Sequence, residues 1–247
     1  MSRRRNLLVG LALVAACWEA AGRLAGPSFA PISAVLLATL DLYLSGRILE
    51  PLASSLVRFA LGYLLAVAVG VPVGALMGFS PTADAALDTY VHVFFVTSVA
   101  SLLPFLILVA GTGLGFYVAV VFLFAVFHVV LTVRTGVQQV DDALVDTGRV
   151  FGAEGVALYR HVLVPAALPV VVAALRIGAN RAVKGMVVAE LWIYAGFGSL
   201  LHSYQRYSQI DYALAVVLTI ALLAVGVTQA LAWVERRYAW TTVEVPT

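Results

Sequence analysis

From Phe116 to Val133 the sequence reads FYVAVVFLFAVFHVVLTV, without one Asp, Glu, Lys or Arg. An uninterrupted apolar run of about 18 to 20 residues is what a helix needs to cross a bilayer. Similar runs recur along the chain, and they are continuous rather than short alternating segments. Continuity argues for helices and against a membrane barrel, since a barrel strand shows only weak alternation over about ten residues. The spacing of the runs predicts an all-α integral membrane protein with six transmembrane helices. They are expected at about 7–24, 56–77, 90–110, 116–137, 168–192 and 212–233. The whole chain of 247 residues is then a single transmembrane domain. Composition agrees: 62% of residues are hydrophobic, 11% are charged and the mean hydropathy is +1.01, outside the range of a soluble domain.

A net charge of +2 with no basic run interleaved with aromatics gives no footprint for nucleic acid. The single cysteine, Cys17, excludes an internal disulfide. An N-terminal RRR before an apolar run resembles a secretory signal, and the residues up to Cys17 resemble a lipoprotein cleavage box. The run nevertheless continues through CWEAAGRL without the polarity of a mature domain, so an uncleaved first span is expected. In that stretch Glu19 is expected to cap or pair rather than to catalyse.

Orientation follows the excess of Lys and Arg in cytoplasmic loops. With the N-terminus inside, the inner side carries Arg3, Arg4, Arg5, Arg134, Arg149, Arg160, Arg236 and Arg237, against Arg23, Arg47, Arg58 and Arg206 outside. Both termini are therefore expected in the cytoplasm.

Between spans four and five, residues 140–165 form a charged segment in an otherwise apolar chain. Val140, Ala143, Leu144, Thr147, Val150 and Phe151 fall on one helical face, with Asp141, Asp142, Asp146 and Arg149 opposite. Gly152 interrupts this helix, as expected where the backbone takes positive φ. A second helix of barely two turns is expected from Ala153 to Tyr159, with Pro165 and Pro169 marking the return to the membrane. A linker lying on lipid headgroups accounts for the amphipathic half but not for the short helix after a glycine.

These residues resemble the cytoplasmic loop of ABC importer permeases, whose pattern is Glu-Ala-Ala, three residues, Gly, nine residues, then Ile-x-Leu-Pro. Gly152 stands at the glycine, and Val162, Leu163, Val164 and Pro165 stand at the end. Asp146, Thr147 and Gly148 replace the triplet, acid for acid and small residues for alanines. The segments FAPISAVL, SLVRFALGYLLAVAVGVPVGALMG, LLPFLILVAGTGLG and VVAELWIYAGFGSLL resemble, in order, parts of the nitrate/sulfonate/taurine branch. A departure is VTSVAS at 96–101, where relatives usually have a more apolar stretch containing proline.

The resemblance implies an importer of several chains in a bacterial inner membrane. Two permeases, expected to be identical copies, form the pathway. A cytoplasmic ATPase dimer drives it, and a periplasmic or lipid-anchored solute-binding protein delivers substrate. The ATPase-coupling residues implied are Asp146, Gly152, Ala153, Glu154, Gly155, Val156, Tyr159 and Pro165. No G-x-x-x-x-G-K-[ST] phosphate loop occurs in the chain, so ATP and Mg are expected on the partner, with no cofactor and no enzymatic activity here. The substrate class implied is a small anion such as a sulfonate, nitrate, bicarbonate or carboxylate. A thiamine-precursor or riboflavin-like heterocycle is the alternative within the same machinery. A secondary transporter coupled to protons is the rival from another class.

Ionisable groups inside a bilayer are costly unless paired or facing water, so each marks a candidate site. Span five carries Asn180, Arg181 and Lys184, with Glu190 near its outer end. Arg181 and Lys184 are three apart and share a face, and Thr97, Ser98 and Ser101 in span three supply hydroxyls. These seven are the expected substrate pathway, with an internal ion pair to Glu190 or Asp88 as the competing reading. The four histidines, His92, His128, His161 and His202, are too dispersed for a metal site. Gly70, Gly74 and Gly78 form a small-residue ridge expected to pack against another helix.

Overall fold

The computed structural model describes residues 2–26, 29–153 and 155–238. In chain order the helices are α1 (Ser2–Leu24), α2 (Ile32–Leu44), α3 (Leu49–Phe79), α4 (Pro81–Val96), α5 (Leu103–Ala110), α6 (Leu114–Gln138), α7 (Asp142–Val150), α8 (Val156–Leu158), α9 (Val164–Ile193), α10 (Phe197–Arg206) and α11 (Ile210–Tyr238). Among the described residues there is no strand. Among the described residues, four helical stretches are long and apolar enough to cross a membrane: Leu49–Phe79, Leu114–Gln138, Arg160–Ile193 and Ile210–Trp233. Together they cover the expected spans two, four, five and six; α1 occupies the residues of the expected first but is not among these four.

The expected third span, 90–110, is not one helix. Pro81–Val96 and Val99–Ala110 meet at a bend of 85°. Thr97 is extended at φ −65°, ψ 130°, and its hydroxyl donates to the Val93 carbonyl at 2.7 Å. That bond occupies a carbonyl at the end of α4, as Ser and Thr side chains do when they compete with the helix ladder. Pro104, in the first turn of α5, has no N–H to continue a ladder backward.

The chain divides into two compact units, Met1–Leu56 with Glu190–Leu223, and Val57–Ala189 with Ala224–Thr247. In the first, Glu19 holds the start of α2. It accepts from the Ser33 N–H at 3.1 Å and the Ser33 hydroxyl at 2.9 Å, and pairs with Arg23. This is the capping role read from the sequence. In the second unit, α3 lies against α6 along a glycine ridge. A Cβ on Gly70 would lie 3.0 Å from the Val129 Cβ, one on Gly74 2.5 Å from the Val130 carbonyl oxygen, and one on Gly78 2.5 Å from the Val137 Cβ. Gly62 extends the ridge to Val121. Without a hydrophobic force between helices in lipid, such close approach is what binds them. Val129, Val133, Val137, Ala167 and Ala174 form the buried core behind this seam, so α9 joins the same packing.

Candidate functional site

Asp141 opens α7, its carboxylate accepting from the Ala143 N–H at 2.9 Å; this is a helix N-cap. At the other end the Gly152 N–H donates to Arg149 O at 2.9 Å and the Ala153 N–H to Gly148 O at 3.0 Å. With Gly152 at φ +81°, these two bonds form a Schellman cap, which needs a left-handed residue at that position. A Cβ on Gly152 would meet nothing within 4 Å. The requirement is therefore one of backbone conformation rather than space. Gly155 is also left-handed, at φ +51°.

Gly148, which the sequence pattern marks only as a small residue, has a steric reason. A Cβ there would lie 2.9 Å from Val162 Cγ2 and 3.1 Å from Leu158 Cδ1, so α7 rests directly on the following helical turn. Leu144, Val150 and Phe151 remain exposed, the last two at 85%. Asp146 is exposed and lies 3.2 Å from Arg149.

The second short helix differs from expectation. It begins at Val156 rather than Ala153 and does not stand alone. It passes through a π-helical turn, Tyr159–Leu163, directly into α9. Pro165 explains the register change: lacking an N–H, it leaves a carbonyl one turn back unbonded, and a wider turn accommodates the missing bond. Glu154 lies outside the described residues.

Beside this loop, Arg134 on α6 is bound to α4 in an arrangement that sequence reading missed. Its Nη2 donates to Asp84 Oδ2 at 2.8 Å, and its Nη1 lies 2.5 Å from Asp88 Oδ1. Gln138 also donates to Asp84, at 3.3 Å. Fifty residues separate Arg134 from Asp84, so no local spacing signals the pair.

The bend after α4 opens a second feature within the same unit. A cavity of about 350 Å³ is lined by Thr97, Ser98, Arg181, His128 and aromatic residues that include Phe95 and Phe124. Three of the seven pathway candidates thus meet in one place. Arg181 forms no ion pair among the described residues. His128 was not singled out, although a histidine in an apolar span is itself a signal; its ring sits 4.8 Å from that of Phe95.

The other four candidates stand apart from this cavity. Asn180 accepts from the Thr228 hydroxyl at 2.7 Å, tying α9 to α11. Ser101 and Lys184 are exposed and do not line the cavity. Glu190 is 1% exposed and accepts from the Ser55 hydroxyl at 2.7 Å and the Phe197 N–H at 3.1 Å. Its carboxylate therefore caps the start of α10. A Cβ on Gly196 would come within 2.6 Å of that carboxylate, so glycine is required at the approach.

The family model described as "Binding-protein-dependent transport system inner membrane component" matches residues 70–240, and the chain belongs to that family. The taurine transport system permease protein TauC of Escherichia coli K12 is 28% identical over 247 residues, covering 96% of this chain and 90% of that protein. A putative aliphatic sulfonates transport permease protein, SsuC of Bacillus subtilis, is 29% identical, covering 86% and 78%. A probable ABC transporter permease of Brucella melitensis is 29% identical, covering 82% and 83%. Among solved structures, an inward-facing MetNI methionine ABC transporter matches with a TM-score of 0.64 at 20% identity, covering 80% of this chain and 97% of that one. That likeness bears on the fold alone. The chain is an ABC importer permease, a multi-pass membrane protein.

Proposed function

We propose that this chain carries a small anion, sulfonate-like or another compact oxyanion, across the inner membrane, driven by ATP hydrolysis on a partner. The observation that carries the coupling half is the loop helix α7. It is capped at both ends, rests on the turn that leads into α9, and leaves Leu144, Val150 and Phe151 exposed. A capped element with an exposed apolar end suits insertion into an ATPase surface, and its seat on the turn that leads into α9 gives closure a route into the membrane. Asp146, Gly152, Ala153, Glu154, Gly155, Val156, Tyr159 and Pro165 remain the residues assigned to this contact.

The anion half rests on Arg181 with Thr97 and Ser98 at the broken helix, and on relatives named for taurine, aliphatic sulfonates and nitrate. The full assembly proposed is two copies of this chain, a cytoplasmic ATPase dimer holding ATP and Mg, and an external solute-binding protein, with both termini inside.

The test is uptake by proteoliposomes holding the permease with its ATPase. Uptake should need ATP and persist when the proton gradient is collapsed. Robust uptake by the chain alone under a pH gradient would establish the secondary-transporter reading instead. ATP-driven uptake of a neutral heterocycle but of no anion would overturn the substrate class.

A further inference from the structure

The helix α10 carries Ser199, His202, Ser203 and Arg206 at positions i, i+3, i+4 and i+7, a single polar stripe. Its opposite side is buried through Phe197, Gly198 and Tyr204. Tyr194 before the helix and Tyr207 after it flank the stripe, and the six side chains line a cavity of about 270 Å³. Tyr194 and His202 meet edge to face with ring centroids 3.9 Å apart. Arg206 is exposed and has no ion-pair partner among the described residues.

The backbone at both ends of α10 is held in an unfavourable region. Tyr194 has φ +56° and Ser208 has φ +57°, the two non-glycine residues with positive φ among the described residues. Both close a helix end: the Ala195 N–H donates to Glu190 O at 3.2 Å after α9, and the Ser208 and Gln209 N–H groups donate to Gln205 O at 3.1 Å and Tyr204 O at 2.9 Å after α10.

We infer that this stripe is a second, low-affinity binding site for an oxyanion head group, separate from the cavity at Arg181. Arg206 supplies charge, His202 and Ser199 supply hydrogen bonds, and the two rings accept a short apolar tail; the Ser203 hydroxyl is engaged with the Leu200 carbonyl at 2.8 Å. The site's assignment to transported substrate rests on the importer reading; its affinity for an oxyanion does not.

Saturation-transfer NMR with ethanesulfonate on the full chain in nanodiscs of zwitterionic lipid tests the site. Transfer should saturate in the millimolar range and be absent with neutral ethanesulfonamide. Arg206→Gln and His202→Ala should each weaken binding at least fivefold. Competition by phosphatidylglycerol added to the nanodiscs, with no effect of these variants on uptake, would assign the site to a lipid headgroup and overturn the substrate role. Unchanged binding in Arg206→Gln would overturn the site itself. A positive binding result with no ATP-driven anion uptake would leave this site standing and remove the proposed anion transport.

Discussion

Gly152 closes α7 through bonds from its own N–H and that of Ala153, with no neighbour near its missing Cβ. Any L-residue there pays for left-handed backbone, about 1 to 2 kcal/mol, and a β-branched one pays more. Gly152→Val should therefore release the cap and reduce ATP-driven transport severely, while membrane insertion survives. Gly152→Asn should retain most activity, because asparagine tolerates this region. Substrate-stimulated ATPase activity in purified complexes checks both; full activity in the valine variant would remove the turn from the coupling path. Glu190 makes a different prediction. Its buried carboxylate has donors in Ser55 and the Phe197 N–H, and removing a charged acceptor leaves those donors unsatisfied at about 1 to 3 kcal/mol. Glu190→Ala should lower the melting temperature of the detergent-solubilised chain more than Glu190→Gln, which keeps an acceptor oxygen. Equal melting for both would show that the hydrogen bonds contribute little.

At the scale of elements, the α3–α6 seam is the packing most exposed to a single change. A side chain at Gly74 must displace the α6 backbone at the Val130 carbonyl, whereas one at Gly10 or Gly226 meets nothing within 4 Å. Gly74→Val should destabilise by about 1 to 3 kcal/mol or more through overpacking, and Gly226→Ala should be nearly neutral. Thermal unfolding in detergent reports the contrast, and equal effects would refute the close approach. This seam was readable from the four-residue glycine spacing, as the long helices were from their apolar runs. The bend at Thr97–Ser98 was not. Hydropathy reports how well a run dissolves in lipid and is the same for a straight or a broken helix. Only the hydroxyls and Pro104 hinted at the break. The π-helical turn at Tyr159–Leu163 escaped for a related reason: Pro165 signals a disturbed ladder but not whether the chain stops or widens its turn. The Arg134–Asp84 pair escaped because its partners are distant in sequence.

For the whole molecule, the question is whether span five carries charge for substrate or for itself. Lys184 and Glu190 are six residues apart on α9, about 240° around the helix axis, which disfavours a direct pair. Glu190 is moreover committed to Ser55 and to the start of α10. Arg181, in contrast, lines the cavity with Thr97, Ser98 and His128, and Lys184 shares its face one turn further along. A cation near the midplane lowers the barrier for an anion and raises it for a cation. Arg181→Gln should therefore slow anion uptake roughly tenfold, about 1.4 kcal/mol on the translocation barrier. Lys184→Met should have a smaller effect, since its side chain is outside the cavity lining. Affinity of the solute-binding protein should be unchanged in both, which separates passage from recognition. Lys184→Met combined with Glu190→Gln should give the sum of the single effects, because the two side chains act independently. Rescue of uptake in that double variant would establish an internal ion pair and remove Lys184 from the pathway; unchanged uptake in Arg181→Gln would remove the cavity.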